Sequence, residues 1–483
     1  MAFSMLLPHA GSLYALGIED VLHGNEARVT FKLTDALRPE RVQAAYERQV
    51  LSRPELRVRL VRSVAGTTAP TAGRPGVQAN GQQNGLAPDP GDGPPQGDTN
   101  GAALAGGDYR WAAFTEDEMR VHLARELEAL AGVATVEQLT DFAPTGEVLP
   151  FRLRVLDEHT LLVRANQAFT NTVGAMAWLE DWFGFYRAVD NRKNARAEVP
   201  ELPPALQPQR WAPGRRPNWR HAATGQFWSL AWTAQQLSAL GLGRRRSVNL
   251  ARDPDGEPAG RGMRGYGHWR HVFDADRTQR LMHGQQGRGV SFTVQLLTAV
   301  ARLLLDSEPL RDRVTLGLSI DLAPWMPDLC RAQPGNPTRC LEVPMRRGRD
   351  LITQARAGQR WLKRGVPYHL ARLRESRWRD ESKVVGRFAA DGHRARTRRG
   401  SGAQFSACIS SLGRRPELRR LELLGEWMSA CTPSTTLMFT STQVASTLAI
   451  ELCYSKDLFV EAEVMALVER LPALLEAGPY ANA

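Results

Sequence analysis

At 483 residues the chain is too long for one ordinary hydrophobic core, so two domains or one two-lobed unit is the expectation. Hydrophobic residues make up 42% of it, and the mean hydropathy is −0.35 with no apolar run near the ~18 residues a bilayer requires, which excludes a disordered chain and a helical membrane span. The net charge is +11, and only Lys32, Lys193, Lys363, Lys383 and Lys456 of the 62 basic residues are lysine, so an arginine-rich surface favours anionic partners: nucleic acid, coenzyme phosphates or an acidic carrier protein.

The opening stretch, MAFSMLLPHAGSLYALG, has no basic start and carries Pro8 and His9 within its apolar part, so it reads as mature protein and not as a signal peptide. RVTFKLT (28–34) alternates Val29, Phe31 and Leu33 as a half-buried strand does, and leads to a helix with Val42, Ala45, Tyr46 and Val50 on one face. Residues 65–107 are rich in Gly, Pro, Ala and Asn and lack aromatic residues. They cannot bury enough apolar area to offset ordering entropy, and read as a disordered insertion within a folded lobe. FRLRVL (151–156) and LLVRA (161–165) form a hairpin about a turn at 157–159. A polar corner and an amphipathic helix follow.

Proline recurs through 190–220, read as the crossover between an N-terminal lobe (1–189) and a C-terminal lobe (221–483). Ser291 caps a helix through Val294, Leu297 and Ala301. VTLGLSI (314–320) alternates as a strand, and the Arg-rich segment 372–402 reads as a solvated loop with a short helix. TLMFT and STLAIELCY flank a turn as a second hairpin. The last helix places Val464, Leu467, Val468, Leu471, Leu474 and Leu475 at helical spacing, shortened or kinked by Pro472. This mixture of strands, helices and hairpins is α/β (α+β), with sheets covered by helices.

The cysteines, Cys330, Cys340, Cys408, Cys431 and Cys453, contain no CxxC pair, which points to reduced thiols and a cytoplasmic protein, although Cys330 and Cys340 flank one loop and are candidates for a bridge. His268 and His271, at i and i+3, have a spacing that suits a metal, but no third ligand lies near them in sequence. GLGRRRS (241–247) lacks the phosphate-loop pattern, and there is no GxSxG, HExxH or zinc-finger spacing.

Six segments in order resemble the condensation-domain and CoA-dependent acyltransferase superfamily, with its chloramphenicol-acetyltransferase-like fold. VTFKLTDALRPERVQAAYERQVLSRPELRVRL resembles the opening strand and helix. FRLRVLDEHTLLVRANQAFTNTVGAMAWLEDWFGFYRA resembles the active-site hairpin and its helix. FDADRTQRLMHGQQGRGVSFTVQLLTAVARLL resembles the helix pair opening the second lobe. VTLGLSIDLAPW is similar to the strand ending Asp-Leu-Arg-Pro, and GVPYHLARL and FSACISSLG are similar to two later segments. The resemblance implies two lobes, each a mixed sheet covered by helices, with a tunnel between them.

It also implies a site. The family signature, His-His-x-x-x-Asp-Gly, falls on Asn166, Gln167, Asn171 and Thr172, so every signature residue is replaced. The second His is the family's general base, and the amide of Gln167 has no useful basicity. The family's Asp pairs with an arginine. Asn171 cannot form that ion pair, and the strand end reads Asp321-Leu322-Ala323-Pro324, without the arginine. None of the ten histidines is placed to substitute as base; His159 lies in the hairpin turn at the far end of the strand. Ser410 and Ser411 fall where a pantetheine amide or thioester oxygen would be bound.

The resemblance therefore implies a protein of natural-product or lipid biosynthesis that acts on or binds a thioester. The substrate would be CoA-linked or phosphopantetheine-linked, with acyl-CoA or an acyl or peptidyl carrier protein as partner and no permanently bound cofactor. It is either non-catalytic or runs altered acyl-transfer or cyclisation chemistry. The competing reading is an Arg-rich nucleic-acid-binding protein, although no known nucleic-acid motif appears.

Overall fold

The structure, a computed structural model, describes residues 26–63, 108–134, 148–190, 266–283, 290–309, 312–321, 338–364, 366, 406–414, 418–432, 436–456 and 459–478. The opening stretch, the 65–107 insertion, the crossover beyond residue 190, the 372–402 segment and Cys330 lie outside these residues.

The first lobe starts with β1 (Glu26–Leu33) and α1 (Pro39–Ser52). Pro39 opens α1 where its missing N–H would be unpaired in any case. The expected face of α1, Val42, Ala45, Tyr46 and Val50, is fully buried. β2 (Val58–Ser63) and β3 (Asp108–Ala113) pair antiparallel as a ribbon, so the insertion connects two paired strands. α2 (Glu116–Ala131) begins with a capping box between Thr115 and Glu118. β4 (Phe151–Asp157) and β5 (Thr160–Asn166) form the expected hairpin, followed by α3 (Thr172–Asp190).

The second lobe comprises β6 (Tyr266–Phe273), α4 (Ala275–His283), α5 (Phe292–Ser307), β7 (Arg313–Asp321), β8 (Thr338–Arg346), α6 (Leu351–Lys363) and β9 (Ala407–Gly413). After these come α7 (Arg419–Leu424), β10 (Gly425–Cys431), β11 (Leu437–Val444), β12 (Thr447–Ser455), α8 (Glu461–Val468) and α9 (Leu471–Ala477). Ser291 caps α5 by accepting from the Val294 N–H. The last helix of the sequence reading is two helices: the chain breaks between Val468 and Leu471, and Pro472 sits in the first turn of α9.

Two sheets organise the molecule. The first has the order β10-β1-β5-β4 and is antiparallel throughout, where a mixed sheet was expected of each lobe. The second, β6-β12-β11-β9-β7-β8, is mixed, with β9 parallel to both of its neighbours. One large core joins Val29, Phe31, Phe151, Leu153, Val163 and the aromatic face of α3; another joins the α5 face with Leu316, Ile409, Phe439 and Ile450. Sheet membership crosses the division at 190–220, because β10, from the second half, completes the first sheet beside β1.

β1 and β5 are buried on both faces, not on one. Val29, Phe31, Leu33, Leu161, Val163 and Ala165 face the core of the first lobe. The strands' polar residues on the opposite face, Arg28, Thr30, Arg164 and Asn166, are buried as well, and there Arg270 of β6 in the second lobe donates to Thr30 Oγ1 at 3.0 Å. A sheet that lies between helices and another sheet has no solvent face, so alternation in sequence reports which neighbour a side chain meets and not whether it meets water.

Candidate functional site

The corner between β5 and α3 is built by its own polar side chains. Asn166 Oδ1 accepts from the Ala168 N–H at 2.8 Å, closing an Asx turn, and the Asn166 carbonyl accepts from Phe169 and Thr170. Asn171 caps α3: its Oδ1 accepts from the Gly174 N–H at 2.9 Å. Gly174 leaves room for Thr170, because a Cβ here would lie 1.8 Å from Thr170 Oγ1 and force that side chain to move.

Between these two asparagines stands Gln167. It is buried, and its Nε2 is shielded from solvent with no hydrogen-bond partner. An unpaired buried amide N–H is costly in a native core. Among the described residues of the corner, Gln167 thus carries a fully buried donor that the fold leaves unused, whereas Asn166 and Asn171 serve the backbone.

Asn171 has a second task. Its Nδ2 donates to Asp321 Oδ1, at the end of β7 in the other lobe, at 3.2 Å. The sequence reading treated loss of the family's Asp–Arg pair as loss of a partner. Instead, an amide–carboxylate bond joins the same two elements, with the charge now on β7. Beside it, Thr172 Oγ1 and Thr432 Oγ1 lie 3.0 Å apart and link α3 to the end of β10.

α3 is anchored firmly behind the corner. Asp181 receives Arg53 through two hydrogen bonds of 3.0 and 2.7 Å, and Gln49 Nε2 donates to the Trp178 carbonyl. Glu180 accepts from the N–H groups of Arg420 and Leu421, both at 3.0 Å. Burial pushes both carboxyls up, against the pull of these donors.

A buried ionic layer adjoins the corner on the inner face of the first sheet. Glu26, paired in register with Asn166, receives Arg164 Nε at 2.7 Å and also Arg152. Burial, with the like charges of Arg164 and Arg154, holds the Arg152 pKa well below its ordinary value. The sequence reading missed this layer, since an arginine at every second strand position is the usual sign of a solvent face.

Ser410 and Ser411 lie on opposite faces of β9. Ser410 is buried on the strand face of Cys408, towards the first sheet. Ser411 alternates to the face of Ala407 and Ile409 and accepts from Ser441 at 3.1 Å. Likewise, i, i+3 spacing on a strand sends His268 and His271 to opposite faces: His271 meets Phe273 at 4.5 Å between ring centroids, whereas His268 faces the first sheet. His159 sits in the β4–β5 turn, far from Gln167.

No protein-family model and no curated protein matches the sequence. Solved structures match in shape over nearly the whole chain. The first condensation domain of the calcium-dependent antibiotic synthetase, in complex with a substrate analogue, superposes with a TM-score of 0.57 at 12% identity, covering 99% of this chain and 97% of that one. The chain has the condensation-domain fold. The trichothecene 15-O-acetyltransferase of Fusarium sporotrichioides has a TM-score of 0.57 at 11% identity, over 98% of this chain and 95% of that one. Polyketide synthase associated protein 5 of Mycobacterium tuberculosis has a TM-score of 0.54 at 13% identity, over 97% and 98%. At these identities the likeness is one of architecture. In this condensation fold, the β5–α3 corner stands at the contact between the lobes, tied to β7 and β10. Among the described residues, no helix is long and apolar enough to cross a membrane.

Proposed function

We propose that the protein binds an acyl thioester, carried by CoA or by the phosphopantetheine arm of a carrier protein, and that Gln167 donates its amide N–H to the acyl carbonyl. The observation that carries this reading is the buried, unpartnered Nε2 of Gln167 at the position where the family resemblance implies a basic imidazole. A carbonyl oxygen satisfies that donor; a proton-transfer role does not fit it, because a carboxamide is not a base at neutral pH. The thioester would enter between the lobes along the face of Ser410, in the tunnel that the resemblance implies. Any turnover is confined to acceptors that arrive as free amines, for which holding the two reactants together is the main contribution. The condensation domain and the acetyltransferase that share the fold are consistent with a place in natural-product biosynthesis.

The test is titration with a panel of acyl-CoAs and acylated carrier proteins, with intact-mass analysis for transferred acyl groups. Gln167→Ala should weaken thioester binding by about 1 kcal/mol, roughly fivefold, the contribution of one neutral hydrogen bond. Gln167→His should restore transfer to hydroxyl acceptors that the wild type does not acylate. A wild type that binds no thioester in the panel, or an alanine variant with unchanged affinity, overturns the reading.

A further inference from the structure

One cluster lies outside the β5–α3 corner and is assembled from three strands that are distant in sequence. A ring nitrogen of His268 on β6, the Sγ of Cys431 on β10 and the Sγ of Cys453 on β12 all lie within 4.8 Å of one another. Both cysteines are buried thiols, and the His268 side chain is 34% exposed, which leaves an entry path on one side. We propose that His268, Cys431 and Cys453 form a metal site for zinc that bridges the two sheets.

The donor set is the main argument. Two thiolates and an imidazole are a chemistry that zinc takes up readily, and ideal Zn–S and Zn–N lengths put tetrahedral ligand atoms roughly 3.5–3.8 Å apart. From separations within 4.8 Å, the ligand atoms would draw in by up to about 1 Å on binding the ion. Its surroundings fit as well. Glu451 Oε1 lies 3.6 Å from His268 Nδ1, the kind of carboxylate that orients a ligating imidazole. Arg28 on β1 is the register partner of Cys431, which places the cluster against the first sheet.

Register extends the pattern. His268 pairs with Cys453, Cys453 with Met438, and Met438 with Cys408, a row of soft donors across one face of the second sheet. Charge is balanced: the two thiolates offset the ion, and Glu451 is paired with Arg270 at 3.3 Å. The site joins β10 of the first sheet to β6 and β12 of the second, so the ion would hold the lobes together one residue from Thr432, which contacts Thr172 at the start of α3.

The full chain, reduced and stripped with chelator, is titrated with Co2+ and then Zn2+. The wild type should bind one Co2+ with intense thiolate-to-cobalt charge-transfer bands and tetrahedral ligand-field bands, and one Zn2+ should displace it. Cys431→Ser, Cys453→Ser and His268→Gln should each weaken binding by more than about 100-fold, the upper end for removing a group that merely supports a ligand. Cys340→Ser should leave it unchanged. The wild-type spectrum needs no variant to fold: absence of thiolate bands overturns the proposal, as does equal loss in Cys340→Ser. These readouts are independent of thioester binding, so either proposal can fail alone.

Discussion

Glu26 shows how much one side chain can hold at this interface. Its carboxylate is the partner of Arg164 and Arg152, and all three residues are buried. Desolvating ions is expensive, so such a layer is weak evidence for net stability, but removing the acid that both arginines share is a different matter. Glu26→Ala takes this shared carboxylate away from two buried guanidiniums. The expected loss is about 3–5 kcal/mol in denaturant unfolding. A loss under ~1 kcal/mol would mean that water or another anion reaches the layer. The same reasoning separates Gln167 from its neighbours. Asn166 and Asn171 are explained by the backbone groups they satisfy, whereas the free donor of Gln167 has no structural explanation and so points to a ligand.

Helix α6 shows what one terminus contributes. Asp350 accepts from the N–H groups of Ile352 and Thr353, both at 3.1 Å, and from the Thr353 hydroxyl. The Thr353 hydroxyl first, and then the two N–H groups, hold the Asp350 carboxyl below its ordinary value, against the effect of burial. A depressed carboxyl stabilises the fold above the ordinary carboxylate range, and that stabilisation fades as pH falls through the lowered pKa. Asp350→Ala should therefore cost about 1 kcal/mol at neutral pH, and the difference from wild type should shrink in acid, as read by urea denaturation at both pH values. At this scale much was legible in the sequence. The Ser291 cap, the face of α1 and both hairpins follow from local spacing. What was not legible depends on neighbours in space. Arg152 and Arg164 look solvent-facing until the fold buries them around Glu26. His268 and His271 look like a pair until the strand separates them and brings Cys431 and Cys453 to only one of the two. Likewise the position of Gln167 followed from resemblance to a family motif, but its unpaired donor required the fold.

At the scale of the whole molecule, the lobes are coupled by polar bonds at defined points. β10 completes the first sheet, Arg270 donates to Thr30, and Asn171 bonds Asp321. The last of these can be isolated, because aspartate caps a helix as well as asparagine does, so Asn171→Asp keeps the α3 cap and changes only the bond across the lobes. The new carboxylate then faces Asp321, and two carboxylates sharing one site repel or retain a proton. Stability should fall by about 1–3 kcal/mol. Adding Asp321→Asn restores an amide–carboxylate bond with the polarity reversed and should recover most of the loss, for a coupling of about 1–2 kcal/mol in a double-mutant cycle. Whatever else Asp321 contacts is subtracted by the single Asp321→Asn variant. If the two changes add within ~0.5 kcal/mol, the bond carries no coupling between the lobes, and the corner that holds Gln167 is tied across them by Thr172 and Thr432 instead.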